Sequence, residues 1–209
     1  MYVVFEGIDF TGKSTKLNET LKVIKEPLVV REPCKYNGEL TILRNIIASG
    51  NNDGLFKAYL SLAQREWLHR HIVMPAYEIN NELITLSDRS FITSCVYQSS
   101  NYKELQNVFE LNRQWLTHTG IYCVPDIIVY MEVKFDEYLK RKAKANERLR
   151  IDKVEEELTC EETFNEYRKR YAYALNLCER YLGSRVLVNP TAIEIKNEIA
   201  ALELERSKL

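Results

Sequence analysis

Short apolar runs alternate along the chain with longer amphipathic segments. Each run is too short for a helix and almost continuously apolar, which is typical of strands buried on both faces. Because helical segments separate the runs, the pattern predicts an α/β fold with a five-stranded parallel sheet flanked by helices. Ligands of such sheets bind beyond the carboxyl ends of the strands. The predicted strands cover residues 2–6, 28–31, 83–87, 127–133 and 185–188.

Two of the intervening segments have clear helical periodicity. Apolar residues recur at spacings of three and four in residues 54–74, which predicts one helix there. A second apolar face runs through residues 159–182. Thr159 and Glu162 have the spacing of a capping box, and Gly183 follows the last apolar position. The second helix is therefore predicted to begin at a Thr159 cap and to end at Gly183.

Composition and charge narrow the class of protein. The chain has 209 residues, of which 45% are hydrophobic and 28% charged, so a single domain over residues 1–209 is expected. A net charge of -1 predicts no nucleic-acid partner and no attraction to anionic membranes. No apolar run is long enough to span a membrane, and residues 2–6 already form a predicted strand, which leaves no signal peptide. Five cysteines without CxxC spacing predict reduced, buried thiols and a cytoplasmic protein.

The segment after the first predicted strand has the fixed positions of a phosphate-binding loop, G-x-x-x-x-G-K-[ST]. Its glycines allow backbone N–H groups to converge on phosphate oxygens, and the following helix adds its N-terminal dipole. Lys13 is expected to reach the β and γ phosphates of a nucleoside triphosphate, and the Ser14 hydroxyl to contact Mg²⁺. The predicted phosphate-binding residues are Gly7, Ile8, Asp9, Phe10, Thr11, Gly12, Lys13, Ser14 and Thr15.

Asp88 and Arg89 form a second polar cluster, at the end of the third predicted strand. Beside a phosphate loop, the Asp88 carboxylate can hold a Mg²⁺-bound water and the Arg89 guanidinium can hold a phosphate in a bidentate fork. Two classes remain open at this point, a phosphoryl-transfer enzyme and a nucleotide-dependent switch or ATPase module. The sequence contains no N-K-x-D motif of the kind that reads guanine in switch proteins.

Several short segments, spread over nearly the whole chain, occur in an order and at a spacing that together are specific. They follow the phosphate loop as Arg31-Glu32-Pro33, Leu43-Arg44, Ala63-Gln64-Arg65, Asp88-Arg89 with Thr93, Ser94, Tyr97 and Gln98, and Pro125-Asp126 with Tyr130-Met131-Glu132-Val133. In this arrangement the chain resembles the thymidylate kinases of the P-loop nucleoside monophosphate kinase superfamily. The resemblance implies transfer of the γ-phosphate of ATP to dTMP with Mg²⁺, small nucleotides as ligands and a homodimer.

The resemblance also implies the residues of an acceptor site. Asp9 would accept a hydrogen bond from the deoxyribose 3′-hydroxyl, Arg65 would read the thymine edge, and a cluster of arginines would hold the acceptor phosphate. The helix that begins after Arg89 would line the nucleoside pocket. The residues implied to bind the acceptor are Asp9, Arg31, Arg44, Ser61, Arg65, Arg89, Thr93, Ser94, Tyr97 and Gln98.

A basic segment at about residues 140–155 resembles the lid of bacterial-type members. Phe10 occupies the position where human-type members carry an arginine in the phosphate loop, so positive charge must reach the transferred group from elsewhere. The resemblance implies that Arg148 and Arg150 act in catalysis with Lys13 and Arg89. It also implies that Arg141 lies on the adenine side. A solvated basic helix face is the alternative interpretation of this segment.

Ser61 departs from the family pattern, because a phenylalanine that stacks on thymine is usual at this position. The expected acceptors are therefore dTMP, a modified deoxyuridine monophosphate or another deoxynucleoside monophosphate. A deoxynucleoside kinase remains an alternative, although it would not need both Arg44 and Arg89 around an acceptor phosphate. A nucleotide-binding switch module is the non-enzymatic alternative.

Overall fold

A computed structural model describes residues 1–49, 53–119, 123–146 and 158–208. Five parallel strands form one sheet in the order β2-β3-β1-β4-β5, which confirms the predicted fold class. The described helices lie between the strands in the chain, except for the last helix, which follows β5. The strands are β1 (Tyr2–Glu6), β2 (Leu28–Arg31), β3 (Thr85–Asp88), β4 (Ile127–Tyr130) and β5 (Arg185–Val188). The helices are α1 (Lys13–Thr20), α2 (Gly38–Ala48), α3 (Gly54–Leu68), α4 (Met74–Ile79), α5 (Phe91–Tyr97), α6 (Tyr102–Thr119), α7 (Phe135–Asn146), α8 (Glu161–Leu182) and α9 (Ala192–Arg206).

Three strand boundaries differ from the prediction, one of them the end of β3 at Asp88 instead of residue 87. Strand β3 begins at Thr85 because Leu83 still belongs to the preceding turn, where its N–H donates to the Asn80 carbonyl. Strand β4 ends at Tyr130 rather than at residue 133. The pairing of Tyr130 with Glu6 and with Val188 is the last step of both neighbouring ladders, so the following residues have no strand partners.

Both faces of the sheet are covered by helices. On β1, Tyr2 and Val4 face one core, which is completed mainly by α3, α5, α6 and α8. Val3 and Phe5 face the other core, which is completed by residues of α1 and α9. This alternation along a buried strand explains why the first run is apolar at every position.

The helical segment predicted at residues 54–74 continues to Ile79, with a wide π-helical turn, His69–Val73, between α3 and α4. The N–H of Met74 bonds to the His69 carbonyl, five residues earlier. Pro75 follows in the first turn of α4 and has no N–H to donate, which favours a break in the regular hydrogen-bond pattern here.

The predicted capping box at Thr159 is wrong. Helix α8 begins at Glu161 after Cys160, with no side-chain cap, and Thr159 lies in the preceding turn. The predicted end is confirmed, because Gly183 adopts a left-handed conformation with φ of 71° directly after the helix.

The prediction of buried thiols is wrong for one of the five cysteines. Cys160 is exposed because it lies at the solvent-facing start of α8. The other four are buried, as expected: Cys34, Cys95, Cys123 and Cys178. Within the described residues, none of the helices is long and apolar enough to cross a bilayer.

Helices α3 and α5 approach each other closely at one point. A Cβ atom placed on Gly54 would lie 2.2 Å from the carbonyl oxygen of Gln98, which is backbone and cannot swing away. Only glycine fits at this contact. The first turn of α3 therefore rests directly on the backbone that follows α5.

Candidate active site

The phosphate loop connects β1 to α1, as its motif requires. Gly7 has a φ of 138°, and a Cβ there would lie 2.2 Å from the Met131 carbonyl oxygen. Gly12 is the N-cap of α1 with a φ of 104°. Both glycines adopt backbone conformations that side chains disfavour, so the predicted strand–loop–helix context is confirmed.

Lys13 and Arg89 meet at the Asp9 carboxylate. The Lys13 ammonium donates to the Ile8 carbonyl at 2.9 Å and to Asp9 Oδ1 at 3.2 Å, and Arg89 also donates to Asp9 Oδ1. Burial would raise the pKa of Asp9, but Arg89 and Lys13 outweigh it and hold the pKa well below its usual range. The carboxylate is therefore ionised at neutral pH and fixes two cations beside the phosphate loop.

Asp88 and Arg31 form a pair at the ends of two adjacent strands. Arg31 donates to Asp88 Oδ2 from Nε at 2.9 Å and from Nη2 at 2.5 Å. Asp88 is nearly buried, whereas the Arg31 side chain is mostly exposed. Asp88, predicted to hold a Mg²⁺-bound water, thus contacts Arg31, predicted to bind the acceptor phosphate. Asp88 Oδ1 and Arg31 Nη1 take no part in this contact.

The first of two cavities, about 710 Å³, lies over the phosphate loop and the N-terminus of α1. Arg141 of α7 borders it and donates to the Thr11 carbonyl oxygen at 2.9 Å while pairing with Glu137. The predicted adenine-side residue therefore contacts the phosphate loop itself. The predicted residues that line this cavity are Asp9, Phe10, Thr11, Gly12, Lys13, Ser14, Thr15, Arg31, Asp88, Arg89 and Arg141.

The second cavity, about 480 Å³, lies between α2, α3 and α5. All the residues that the resemblance assigns to the acceptor line it. Asp9, Arg31 and Arg89 also line the first cavity, so the two cavities meet at these three side chains. Lys57 lines the second cavity as well and was missed by the sequence analysis, although it lies one turn from Ser61 on α3.

One end of the second cavity is bordered by polar groups of α3 and α5. Gln98 Nε2 donates to Ser61 Oγ at 2.8 Å, so these two side chains contact each other across the cavity wall. Arg65 is 3% exposed and donates to Glu32, which also lines the cavity, and to Asn112 behind it. Its neighbours therefore orient a guanidinium towards the same cavity as Ser61 and Gln98.

Glu6 is a buried carboxylate that the sequence analysis did not assign to the site. Its oxygens accept from the Ser90 N–H and hydroxyl and from the Thr93 hydroxyl, all at 2.7 Å. Burial raises the pKa of Glu6, and Arg89 partly offsets that rise. A charged residue at the end of an otherwise apolar strand was the available signal, because such a group must have buried partners.

The lid prediction extends beyond the described residues. Arg148 and Arg150 both lie outside them, whereas Arg141 lies within α7.

The thymidylate kinase family model matches residues 5–191 of this chain. The chain belongs to the thymidylate kinase family. It is similar to the thymidylate kinase of Mycoplasma capricolum, with 31% identity over 74% of each chain. It is also similar to a probable thymidylate kinase of Thermococcus onnurineus, with 27% identity over 97% of this chain and 96% of the relative.

Two solved thymidylate kinase structures share the fold. The enzyme of Ehrlichia chaffeensis gives a TM-score of 0.62 at 20% identity, covering 95% of this chain and 98% of that one. The enzyme of Candida albicans gives a TM-score of 0.65 at 16% identity, covering 99% and 92%. The predicted family and fold are thus confirmed. As a thymidylate kinase family member, the protein is an ATP-dependent nucleoside monophosphate kinase that phosphorylates dTMP to dTDP.

Proposed function

We propose that ATP binds in the first cavity, dTMP binds in the second, and the γ-phosphoryl group passes between them beside Asp9, Arg31 and Arg89. The observation that carries this assignment is that both cavities open onto these three side chains. Bringing two phosphates together in the right orientation is a major part of catalysis in such reactions. The junction lies beyond the carboxyl ends of β1, β2 and β3, where ligands of parallel sheets bind.

The charges at the junction suit phosphoryl transfer. Arg31, Arg44 and Arg89 supply positive charge to the acceptor phosphate, and Lys13 supplies it to the β and γ phosphates of ATP. Phosphoryl transfer depends on positioning and on charge stabilisation rather than on a covalent partner. Asp9, which holds Lys13 and Arg89, accepts a hydrogen bond from the deoxyribose 3′-hydroxyl once dTMP is bound.

Ser14 and Asp88 are the residues we assign to Mg²⁺. The Ser14 side chain is exposed at the start of α1, and the Asp88 carboxylate borders the same cavity. This oxygen-only set fits Mg²⁺, which is usually bound by one or two protein oxygens together with water and substrate phosphates. When bound, the ion would neutralise charge on the ATP phosphates.

A 5-substituted deoxyuridine monophosphate is a second candidate acceptor. The Ser61–Gln98 hydrogen bond puts small polar groups where a ring would restrict the pocket. A larger or polar 5-substituent therefore has room that an aromatic side chain would remove.

We also propose that the protein is a cytoplasmic homodimer. Four buried thiols support a reducing compartment. Exposed apolar side chains on α2 and α3, including Ile42, Phe56 and Tyr59, support a protein partner for this surface. Sedimentation equilibrium would test the assembly, and a monomer at micromolar concentration would contradict it.

A coupled ADP-release assay tests the acceptor. The panel consists of dTMP, dUMP, 5-hydroxymethyl-dUMP, dCMP, dAMP, dGMP and thymidine, each with ATP and Mg²⁺. We expect the highest kcat/KM for dTMP or a 5-substituted dUMP and no turnover of thymidine, because the nucleoside lacks the phosphate that the arginines bind. Efficient phosphorylation of thymidine would contradict a monophosphate acceptor.

A further inference from the structure

A row of buried polar side chains passes through the wall of the second cavity, where Glu32 and Arg65 line it. Tyr2 of β1 donates to Glu32 Oε1 at 3.5 Å, and Glu32 Oε2 accepts from Arg65 Nε at 2.7 Å. Arg65 Nη2 also lies 2.6 Å from Glu32 Oε2, and Arg65 Nη1 donates to Asn112 Oδ1 at 2.5 Å. The row therefore connects β1, the segment after β2, α3 and α6 through one guanidinium.

Asn112 has a specific place in this row. It is completely buried on α6, and its Nδ2 donates to the Val108 carbonyl at 2.7 Å. That bond fixes the amide so that Oδ1 points towards Arg65. Asn112 lies behind Arg65 and outside the residues that line the cavity, so any effect it has on the acceptor must pass through Arg65.

Glu32 and Asn112 hold the guanidinium on two sides. Glu32 Oε2 accepts from Nε and lies 2.6 Å from Nη2, and Asn112 Oδ1 accepts from Nη1. An arginine fork with two fixed edges has one orientation in its plane. The remaining N–H groups of Arg65 can then be presented to a ligand without a search among side-chain rotamers.

We propose that Asn112 is a positioning residue for base selection, which fixes Arg65 so that its remaining donors meet the 4-oxo group of a uracil-type base. This inference rests on the proposed function, in which the base lies in the second cavity. A guanidinium has only donors, so it matches a carbonyl oxygen and opposes the 4-amino group of cytosine. A guanidinium that could rotate would discriminate less between a uracil-type base and cytosine, because it could move away from the 4-amino group of cytosine.

The test compares Asn112→Leu with Asn112→Asp. Leucine has a similar size but cannot accept from Arg65, whereas aspartate keeps an acceptor oxygen at the same place. For each protein, kcat and KM are measured with dTMP, dUMP and dCMP. We expect Asn112→Leu to lower the dTMP-to-dCMP ratio of kcat/KM about tenfold, mainly through a higher KM for dTMP, as for loss of one hydrogen bond to a charged group. Asn112→Asp should stay near the wild-type ratio.

Two comparisons separate positioning from general damage. The dTMP-to-dUMP ratio should stay constant in Asn112→Leu, because both bases carry the 4-oxo group. Leu116→Ala removes a different buried side chain of α6 and should lower the melting temperature without changing the dTMP-to-dCMP ratio. If Asn112→Leu does not fold, Asn112→Ala removes the acceptor without added bulk.

The outcomes distinguish the inference from its premise. A wild-type protein that does not phosphorylate dTMP would overturn the proposed function and the inference with it. A wild-type protein that prefers dTMP, together with a folded Asn112→Leu or Asn112→Ala variant that prefers it equally, would overturn the inference alone.

Discussion

Lys13 shows why single residues at this site matter beyond their own contacts. Its side chain is almost fully buried, and burial lowers its pKa, an effect that Arg89 reinforces and Asp9 opposes. A buried cation is tolerated only with partners, and here Asp9 and the Ile8 carbonyl provide them. The phosphate loop thus holds an ordered positive charge before any nucleotide binds, which is the arrangement that electrostatic catalysis requires.

Lys13→Ala should lower kcat by about 10²–10³-fold, the loss typical of removing one preorganised donor to a transition state. The fold should persist because Asp9 retains Arg89 as a partner. Steady-state kinetics and circular dichroism check the two parts of this prediction. Lys22→Ala, at an exposed position beyond α1, is the matched control and should leave both unchanged. Near-normal turnover by a folded Lys13→Ala protein would refute the phosphate-loop assignment.

Ser61→Phe should tighten dTMP binding and narrow the range of bases accepted. An aromatic ring stacked on a base contributes roughly 1–3 kcal/mol, so the KM for dTMP should fall about tenfold. The comparison of kcat/KM for dTMP, dUMP and 5-hydroxymethyl-dUMP measures the change.

Ser61→Ala is the control for this substitution, because it also removes the oxygen that accepts from Gln98 but adds no ring. We expect Ser61→Ala to keep the wild-type breadth. If Ser61→Phe and Ser61→Ala behave alike, the space beside Ser61 does not receive the base.

At the scale of elements, α7 connects the phosphate loop to the segment predicted as a lid. Arg141 donates to the Thr11 carbonyl and pairs with Glu137 within α7, so the start of that segment is tied to the loop. Phe10, at the tip of the loop, packs against Tyr138 of the same helix. The first residues of the segment predicted as a lid are therefore held against the phosphate loop.

The lid prediction is tested by Arg148→Ala and Arg150→Ala separately. If one of these arginines stabilises the transferred group, its loss should lower kcat about 10³-fold while changing the KM for dTMP much less. Lys196→Ala removes the same charge at an exposed position of α9 and is the control. Wild-type turnover in both arginine variants would show that the catalytic charge comes from elsewhere, with Arg141 the next to examine.

The apolar pattern was sufficient to predict the strands because strands buried on both faces leave an uninterrupted signal. It was insufficient at the helix ends. At Thr159 the capping spacing was present, yet the helix begins two residues later, since a cap requires a backbone geometry that spacing does not specify. Ten of the residues that line the second cavity were predicted through resemblance. Lys57 could have been added from its spacing of one turn before Ser61, whereas Asn112 could be found only once α3 and α6 had been positioned.

At the scale of the whole molecule, His69 links stability to pH. Two aromatic rings pack against its imidazole in T-shaped contacts, Tyr2 at 5.5 Å and Trp115 at 5.4 Å between centroids. Neither ring nitrogen has a hydrogen-bond partner among the described residues. Burial, reinforced by the nearby charge of Arg65, lowers the pKa of His69 to about 3. The folded protein therefore keeps this imidazole neutral at pH values where the unfolded chain protonates it.

The sign of the pH effect follows from this difference. In the unfolded chain this histidine has a pKa near 6.5. The buried neutral imidazole therefore leaves the unfolding free energy at its full value above about pH 6.5, and the unfolding free energy falls as the pH drops from 6.5 towards 3. His69→Phe should make the decline in unfolding free energy between pH 6.5 and 4 shallower, by up to about 1.4 kcal/mol per pH unit. Urea unfolding at several pH values measures this slope.

His71→Phe is the control, because His71 is exposed and stacks on Trp67 at the surface. It should leave the slope as in the wild type. An unchanged slope in His69→Phe would mean that the native state admits a proton at this site without cost.

The close contact at Gly54 implies that the width of the second cavity is set by the distance between two backbone segments. Helix α3 carries Ser61 and Arg65 on one wall, and the segment ending at Gln98 forms the opposite wall. The first turn of α3 already touches the Gln98 carbonyl. Substitutions of the lining side chains therefore change the shape and polarity of the walls but not the distance between the two backbones. A methyl group added at residue 54 would have to displace the Gln98 backbone and so push the two walls apart from outside the cavity. In a redesign of this kinase for larger nucleotides, the position that sets the distance between the walls therefore lies outside the residues that line the cavity.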